Sequence, residues 1–230
     1  MAPPERATDL DALPLFAELA GESRRALLDR HLAVRFEAEQ TLVMEGDWGE
    51  SVFLLRRGIA KVRSFSGDGE EVILSLLGGG ELFGELAILD ENPRSADVVA
   101  LTPVELVKLR AAPFREVIRR EPSLALALAR LQAGRLRDLN RRFAIQTSDA
   151  TTRLLAALAY LAAKAGPEGD PQAAIPPLPQ RELAVLSGLA RETASRTLSK
   201  LRQRGTVVDT PEGGLRLADL KPLKQRALLG

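Results

Sequence analysis

The stretch FGELAILDENPRSA, Phe83–Ala96, sets a glutamate directly after a glycine and an arginine between a proline and a serine, within a region of short apolar runs. Charged side chains are seldom buried unless they are paired or hold a ligand. Three arrangements account for Glu85 and Arg94: a structural ion pair, the acid and base of an enzyme, or two grips on opposite ends of a small polar anion. No histidine or metal motif accompanies them, as an enzyme site would lead one to expect. The planar fork of an arginine suits a phosphate, and a carboxylate accepts from a sugar hydroxyl. A short helix over LAIL, just after Gly84, would add backbone N–H groups facing the anion. The third arrangement therefore implies a phosphate at one end and a ribose hydroxyl at the other.

Outward from this stretch, VRFEAEQTLVM, SVFLL, IAKVRSF, EVILSLL, DVVAL and VELVKL are short β-rich runs separated by turns such as EGDWG, RRG, SGDG and GGG. Many short strands at this spacing predict a small antiparallel barrel or sandwich. Upstream, Asp9 to Leu32 reads as helical with a break near Pro14. After Pro113 the pattern turns helical again, and Pro122-Ser123 opens a long helix through Gln146. Its apolar stripe, Leu124, Leu128 and Leu131, continues past Gly134 through Leu136, Leu139 and Phe143. So long a helix at the edge of a small barrel calls for a partner.

Thr147-Ser148-Asp149 offers an N-cap for a further helix through Lys164. Beyond a loop rich in proline and glycine, PQRELAVLSGLARETASRTLSKLRQRG holds two short helices joined at Ser187-Gly188-Leu189, the pattern of a helix-turn-helix. At about 100° per residue, Ala190, Ala194, Leu198 and Leu201 fall on one side of the second helix. Arg191, Glu192, Ser195, Arg196, Ser199 and Arg202 fall on the other. A charged helix face is ordinarily just solvated. Here Arg191, Arg196, Lys200, Arg202 and Arg204 stand against one acid, Glu192, which favours DNA. Small Ala184 and Gly188 sit where the two helices must approach, and VVDTPEGGLRL reads as a hairpin, the wing of a winged helix.

Composition bounds the alternatives. The 230 residues suit two small domains, with 45% hydrophobic and 27% charged residues as in an ordinary soluble protein. Net charge is +1, so only local clustering argues for nucleic acid. With no cysteine, disulfide scaffolds, thiolate metal sites and cysteine nucleophiles fall away. The single histidine, His31, reads as a surface or helix-end residue, and no metal site is expected. MAPPERATDL lacks signal-sequence character, and the longest apolar run, LLAALAYLAA at 154–163, is too short for a bilayer. A cytoplasmic protein with no membrane partner is expected.

LVMEGDWGESVFLLRRG (Leu42–Gly58) and FGELAILDENPRSADVVA (Phe83–Ala100) closely resemble the two signature motifs of cyclic-nucleotide-binding domains. With SGLARETASRTLSKL, the chain resembles a regulator of the cyclic-AMP receptor protein family over about residues 15–220. The resemblance implies an α+β fold: an N-terminal β-roll cyclic-nucleotide-binding domain (1–122), a long dimerisation helix (123–146) and a C-terminal winged helix-turn-helix domain (147–230). It implies no enzyme but an allosteric regulator, with cyclic AMP as ligand and double-stranded DNA, a second copy of the chain and RNA polymerase as partners. Carried over, Glu85 meets the ribose 2'-hydroxyl, Arg94 and Ser95 the phosphate, and Gly84, Leu86, Ala87 and Ala96 line the cassette. Arg135 on the long helix is placed to meet Glu85. Where the bacterial receptor reads adenine with a Thr-Ser pair, this chain has Leu139-Asn140, of which only Asn140 carries a hydrogen-bonding side chain. Arg191, Glu192 and Arg196 match the base-reading positions, with Thr193, Ser195 and Ser199 beside them and Lys200 and Arg202 toward the phosphates. An inverted-repeat, TGTGA-like operator follows. Lack of cysteine and clustered histidine sets the chain apart from the family's iron-sulfur and haem branches. Two alternatives remain open: a family member active without ligand, and a nucleotide-binding subunit of an enzyme.

Overall fold

The computed structural model describes residues 16, 19–29 and 31–229. Helix α1 spans Gly21–Leu28 and ends where His31 Nδ1 meets the Leu28 carbonyl at 2.7 Å. Leu32 already belongs to a strand, so the expected helix stops four residues early; the part of that expectation over 9–15 lies outside the described residues.

Eight strands follow: β1 (Leu32–Phe36), β2 (Thr41–Val43), β3 (Ser51–Arg57), β4 (Ala60–Phe65), β5 (Glu71–Leu77), β6 (Leu82–Phe83), β7 (Asp97–Ala100) and β8 (Val104–Arg110). They pair antiparallel in two four-stranded sheets, ordered β1-β8-β3-β6 and β2-β7-β4-β5. The run VRFEAEQTLVM, expected as one β segment, divides at Glu39, a non-glycine residue at φ 70°.

β3 shows why SVFLL is apolar without a break. Leu55 joins Leu77, Phe83, Val98 and Leu106 between the sheets, while Val52 and Leu54 face a second core with Leu27, Val107, Phe114 and Leu124. A strand covered on both faces loses the polar alternation of a half-exposed one. The second core is closed by α1, by α3 (Ala111–Arg120) and by the first turns of α4 (Pro122–Ala144). Helix α3 begins two residues before Pro113, which fits in the first turn because its missing N–H has no helical acceptor there.

α5 (Ala150–Ala165) is capped by Asp149, which accepts from the Thr151 and Thr152 amides at 2.9 and 3.1 Å and from the Thr152 hydroxyl at 2.7 Å. These bonds, the Thr152 hydroxyl first, hold the Asp149 carboxyl below its ordinary range. Because the folded value is depressed, the cap stabilises above the unfolded carboxylate pKa and its contribution is lost as pH falls through the folded value. α6 (Gln180–Ser187) ends at Gly188 in the left-handed region, φ 59°, and α7 (Arg191–Gln203) follows. The hairpin of β9 (Val207–Asp209) and β10 (Leu215–Leu217) and the short α8 (Lys221–Lys224) complete the winged helix-turn-helix.

The two halves share one core. Ile59, Ile73, Leu76 and Leu101 of the roll pack with Leu154, Leu158, Leu183, Leu198 and Leu217. The seam is also polar. Tyr160 Oη takes the Leu76 amide at 3.1 Å, Lys164 Nζ meets Glu81 at 2.7 Å, and Arg142 donates to the Ile73 carbonyl at 3.0 Å and to that of Leu74.

Candidate ligand cassette and nucleic-acid interface

β6 ends at Phe83, whose ring stacks on Phe53 of β3 with centroids 5.2 Å apart. Gly84 then takes φ 80°, a conformation open to glycine and costly for other residues, and this sends Glu85 inward as the residue just before a one-turn helix, α2 (Leu86–Leu89). Glu85 is 1% exposed. Its Oε1 accepts from Gln132 Nε2 at 2.6 Å and from Arg135 Nη1 at 2.7 Å, both on α4 and three residues apart on one face. Its Oε2 is buried and receives no hydrogen bond.

Arg94 is 6% exposed. Its backbone is tied to the Gly46–Asp47 turn in both directions, at 2.9 Å each. Its guanidinium donates from Nη1 to the Gly84 carbonyl at 2.5 Å and from Nη2 to that of Ser51 at 2.6 Å, 5.9 Å from the centre of the Phe53 ring. A Cβ at Gly49 would lie 2.1 Å from Nη2, and one at Gly84 2.5 Å from Nη1, so this cradle exists only because both positions are glycine. Burial draws the guanidinium below its ordinary pKa, against the opposing fields of Glu85 and Asp47. Among the described residues no carboxylate lies in salt-bridge contact with Arg94; the ion pair of Glu85 is to Arg135. Of the three arrangements that the sequence left open, a mutual Glu85–Arg94 ion pair is not formed; the two charges are held separately, each with hydrogen-bonding capacity left over. Two of five guanidinium donors are engaged by carbonyls.

Around them, Ala87 and Ala96 are buried, Gly84 is half-buried, Leu86 is 41% exposed and Ser95 is exposed. Leu139 and Asn140 lie exposed one turn beyond Arg135 on α4. Sequence reading missed Gln132, Gly49 and Ser51. Gln132 carried a usable signal, being polar and on the Arg135 face of the helix. The carbonyl of Ser51 carried none, because any residue supplies it.

On α7, Ala194, Leu198 and Leu201 are buried as the helical wheel predicts, whereas Ala190 is exposed because it precedes the first helical residue. Arg191, Glu192, Arg196, Ser199 and Lys200 are exposed, and Thr193 and Ser195 are half-buried. Gln180, Arg191, Glu192, Ser195 and Arg196 border one open depression. Arg202 differs from expectation: it reaches Asp209 on the wing at 2.6 Å, so its charge is already partly compensated. Among the described residues no group of His, Asp or Glu is placed to hold a metal ion, and no helix is long and apolar enough to cross a membrane.

A cyclic nucleotide-binding domain model matches residues 33–121, and a Crp-like helix-turn-helix domain model matches 152–226. The cyclic AMP receptor protein of Thermus thermophilus is 36% identical over 198 residues, 84% of this chain and 88% of that protein. The chain belongs to the cyclic AMP receptor protein family. The CRP-like cAMP-activated global transcriptional regulator of Mycobacterium tuberculosis is 31% identical over 79% of this chain and 82% of its own length. FixK2 from Bradyrhizobium japonicum shares the fold, with a TM-score of 0.72 at 18% identity, covering 85% of this chain and 96% of FixK2. A CRP/FNR family transcriptional regulator, also from Thermus thermophilus, superposes with a TM-score of 0.64 at 27% identity, over 85% of this chain and 98% of that one. As a member of this family the protein is a transcription regulator, not an enzyme, built from a cyclic-nucleotide-binding β-roll and a DNA-binding helix-turn-helix.

Proposed function

We propose that the protein is a homodimeric regulator controlled by cyclic AMP that reads an inverted-repeat, TGTGA-like operator and works on RNA polymerase. The observation that carries the ligand reading is the buried, unpartnered Oε2 of Glu85 beside a buried guanidinium with no carboxylate in contact among the described residues. A buried carboxylate oxygen without a donor is costly, and a ribose hydroxyl supplies one. The cyclic phosphate supplies the anion that Arg94 lacks, with Ser95 at its rim. The relatives described as cAMP-activated favour cyclic AMP over other cyclic nucleotides. Operator binding of the full-length protein, measured with and without cyclic AMP, tests the reading. A gain in DNA affinity with ligand is expected. Tight binding with no gain would establish the constitutive alternative instead.

The division at 1–122, 123–146 and 147–230 assigns dimerisation to the middle segment. Leu136 is 58% exposed and Phe143 77%, on a helix whose first turns are buried in the roll. Apolar surface of this kind on a 23-residue helix is accounted for by a second copy packing along it. Replacing both Leu136 and Phe143 with aspartate is expected to convert the dimer to monomer in sedimentation experiments. An unchanged dimer would move the interface elsewhere.

On DNA, Arg191 and Arg196 pair with guanines and Glu192 accepts from a cytosine amino group. Two copies place half-sites about 34 Å apart. Arg196→Ala should cost about 1–3 kcal/mol and relax one base position, whereas Lys200→Ala should weaken all sequences alike. Selection from random DNA separates these outcomes.

A further inference from the structure

The two donors that Glu85 receives fall on one oxygen, and they differ in kind. Arg135 brings the compensating charge and is itself fastened to the Leu82 carbonyl. Gln132 brings no charge, and since a carboxylate only accepts, it must present its amide N–H to Oε1. Two donors fill both lone-pair directions of Oε1, whereas one leaves the carboxylate plane free to turn, because the terminal torsion of glutamate is broad. With both in place, Oε2 is the oxygen left without a partner, and it is buried.

We propose that Gln132 is a positioning residue for ribose recognition: it locks the Glu85 carboxylate so that Oε2 alone is presented to the ligand hydroxyl. The inference rests on the cyclic-nucleotide reading above and adds a residue of this chain to it. Without Gln132, Oε2 can swing toward Arg135, and the hydroxyl then meets an oxygen that is already engaged. A glutamine that merely straps α4 to the roll would behave otherwise, since its loss would affect every ligand of the cassette equally.

Titration calorimetry of the full-length protein with cyclic AMP and with 2'-deoxy cyclic AMP distinguishes the two roles. The wild type should prefer cyclic AMP by about tenfold or more, the effect of one hydrogen bond to a charged group. Gln132→Leu should lose most of that preference by weakening cyclic AMP alone, with 2'-deoxy binding unchanged. Gln132→Glu, which sets a like charge beside Glu85, should lose it too. Equal weakening of both ligands, or no change in either, overturns the inference while the nucleotide reading stands. A wild type that binds both ligands equally also overturns it, because Glu85 then does not read the 2'-hydroxyl. A wild type that binds neither removes the nucleotide reading itself.

Discussion

Arg94→Leu is expected to abolish cyclic-nucleotide binding and to lower the melting temperature in the same step. Two charge-assisted hydrogen bonds to a phosphate, at about 1.5–3 kcal/mol each, correspond to roughly a hundredfold to ten-thousandfold loss of affinity. A residue that served only as a ligand group could be removed with the fold untouched. Arg94 also engages the Gly84 and Ser51 carbonyls. Leucine offers those acceptors nothing, and each buried acceptor left unpaired costs about 1–3 kcal/mol. Gly49→Ala separates the two effects: its Cβ would sit 2.1 Å from Nη2 and displace the guanidinium without removing its charge. Titration calorimetry beside thermal melts of both variants measures each part. Nucleotide affinity unchanged in Arg94→Leu would mean that the arginine is only a brace for the Gly84 turn.

The cradle shows where sequence reading succeeds and where it stops. Glu85 and Arg94 stood out because charged residues in an apolar setting require a cause, and the continuous run SVFLL reflects the two cores that β3 serves. The recognition helix was legible because its basic residues and its buried Ala194, Leu198 and Leu201 obey a 3.6-residue period. β6 was not, since two residues carry no period. Backbone acceptors are invisible for the same reason that they are universal. Lys61 carries no signal of its own in the sequence, because its partner Glu182 is 121 residues away and only the folded chain brings them together.

That lysine should also be the most sensitive point of the seam. Lys61 is 3% exposed and Glu182 8%. Lys61 Nζ hydrogen-bonds Glu182 Oε2 at 2.7 Å and lies 2.5 Å from Glu71 Oε1 in an ion pair without an aligned hydrogen bond. Glu71 and Asp97 also flank Arg63, so one alternating chain of charges runs from the roll into the first helix of the helix-turn-helix. Truncating one member of a buried pair strands its partner, at about 3–5 kcal/mol, whereas replacing both members with apolar residues is often neutral. Lys61→Ala should therefore unfold at markedly lower denaturant and expose α6 and β4 amides to exchange, and Lys61→Met combined with Glu182→Leu should recover most of the loss.

The consequence extends to regulation. The helix whose Gln132 and Arg135 hold Glu85 also places Arg142 on the Ile73 and Leu74 carbonyls of β5, and the same strand carries Glu71. A ligand acts at a distance only through an element with two arrangements that it stabilises unequally. Whichever arrangement this seam favours, an apolar pair lacks the directional contacts of the ion pair and distinguishes less between the two. In the double variant, which is expected to fold, the ligand-induced gain in DNA affinity should therefore fall from the roughly 5–150-fold typical of allosteric coupling towards unity, with nucleotide affinity little changed. Operator titrations of wild type and variant, each with and without saturating cyclic AMP, measure the gain directly. A double variant that keeps the full wild-type gain would show that coupling runs through another contact, with the exposed apolar stripe of α4 next in line.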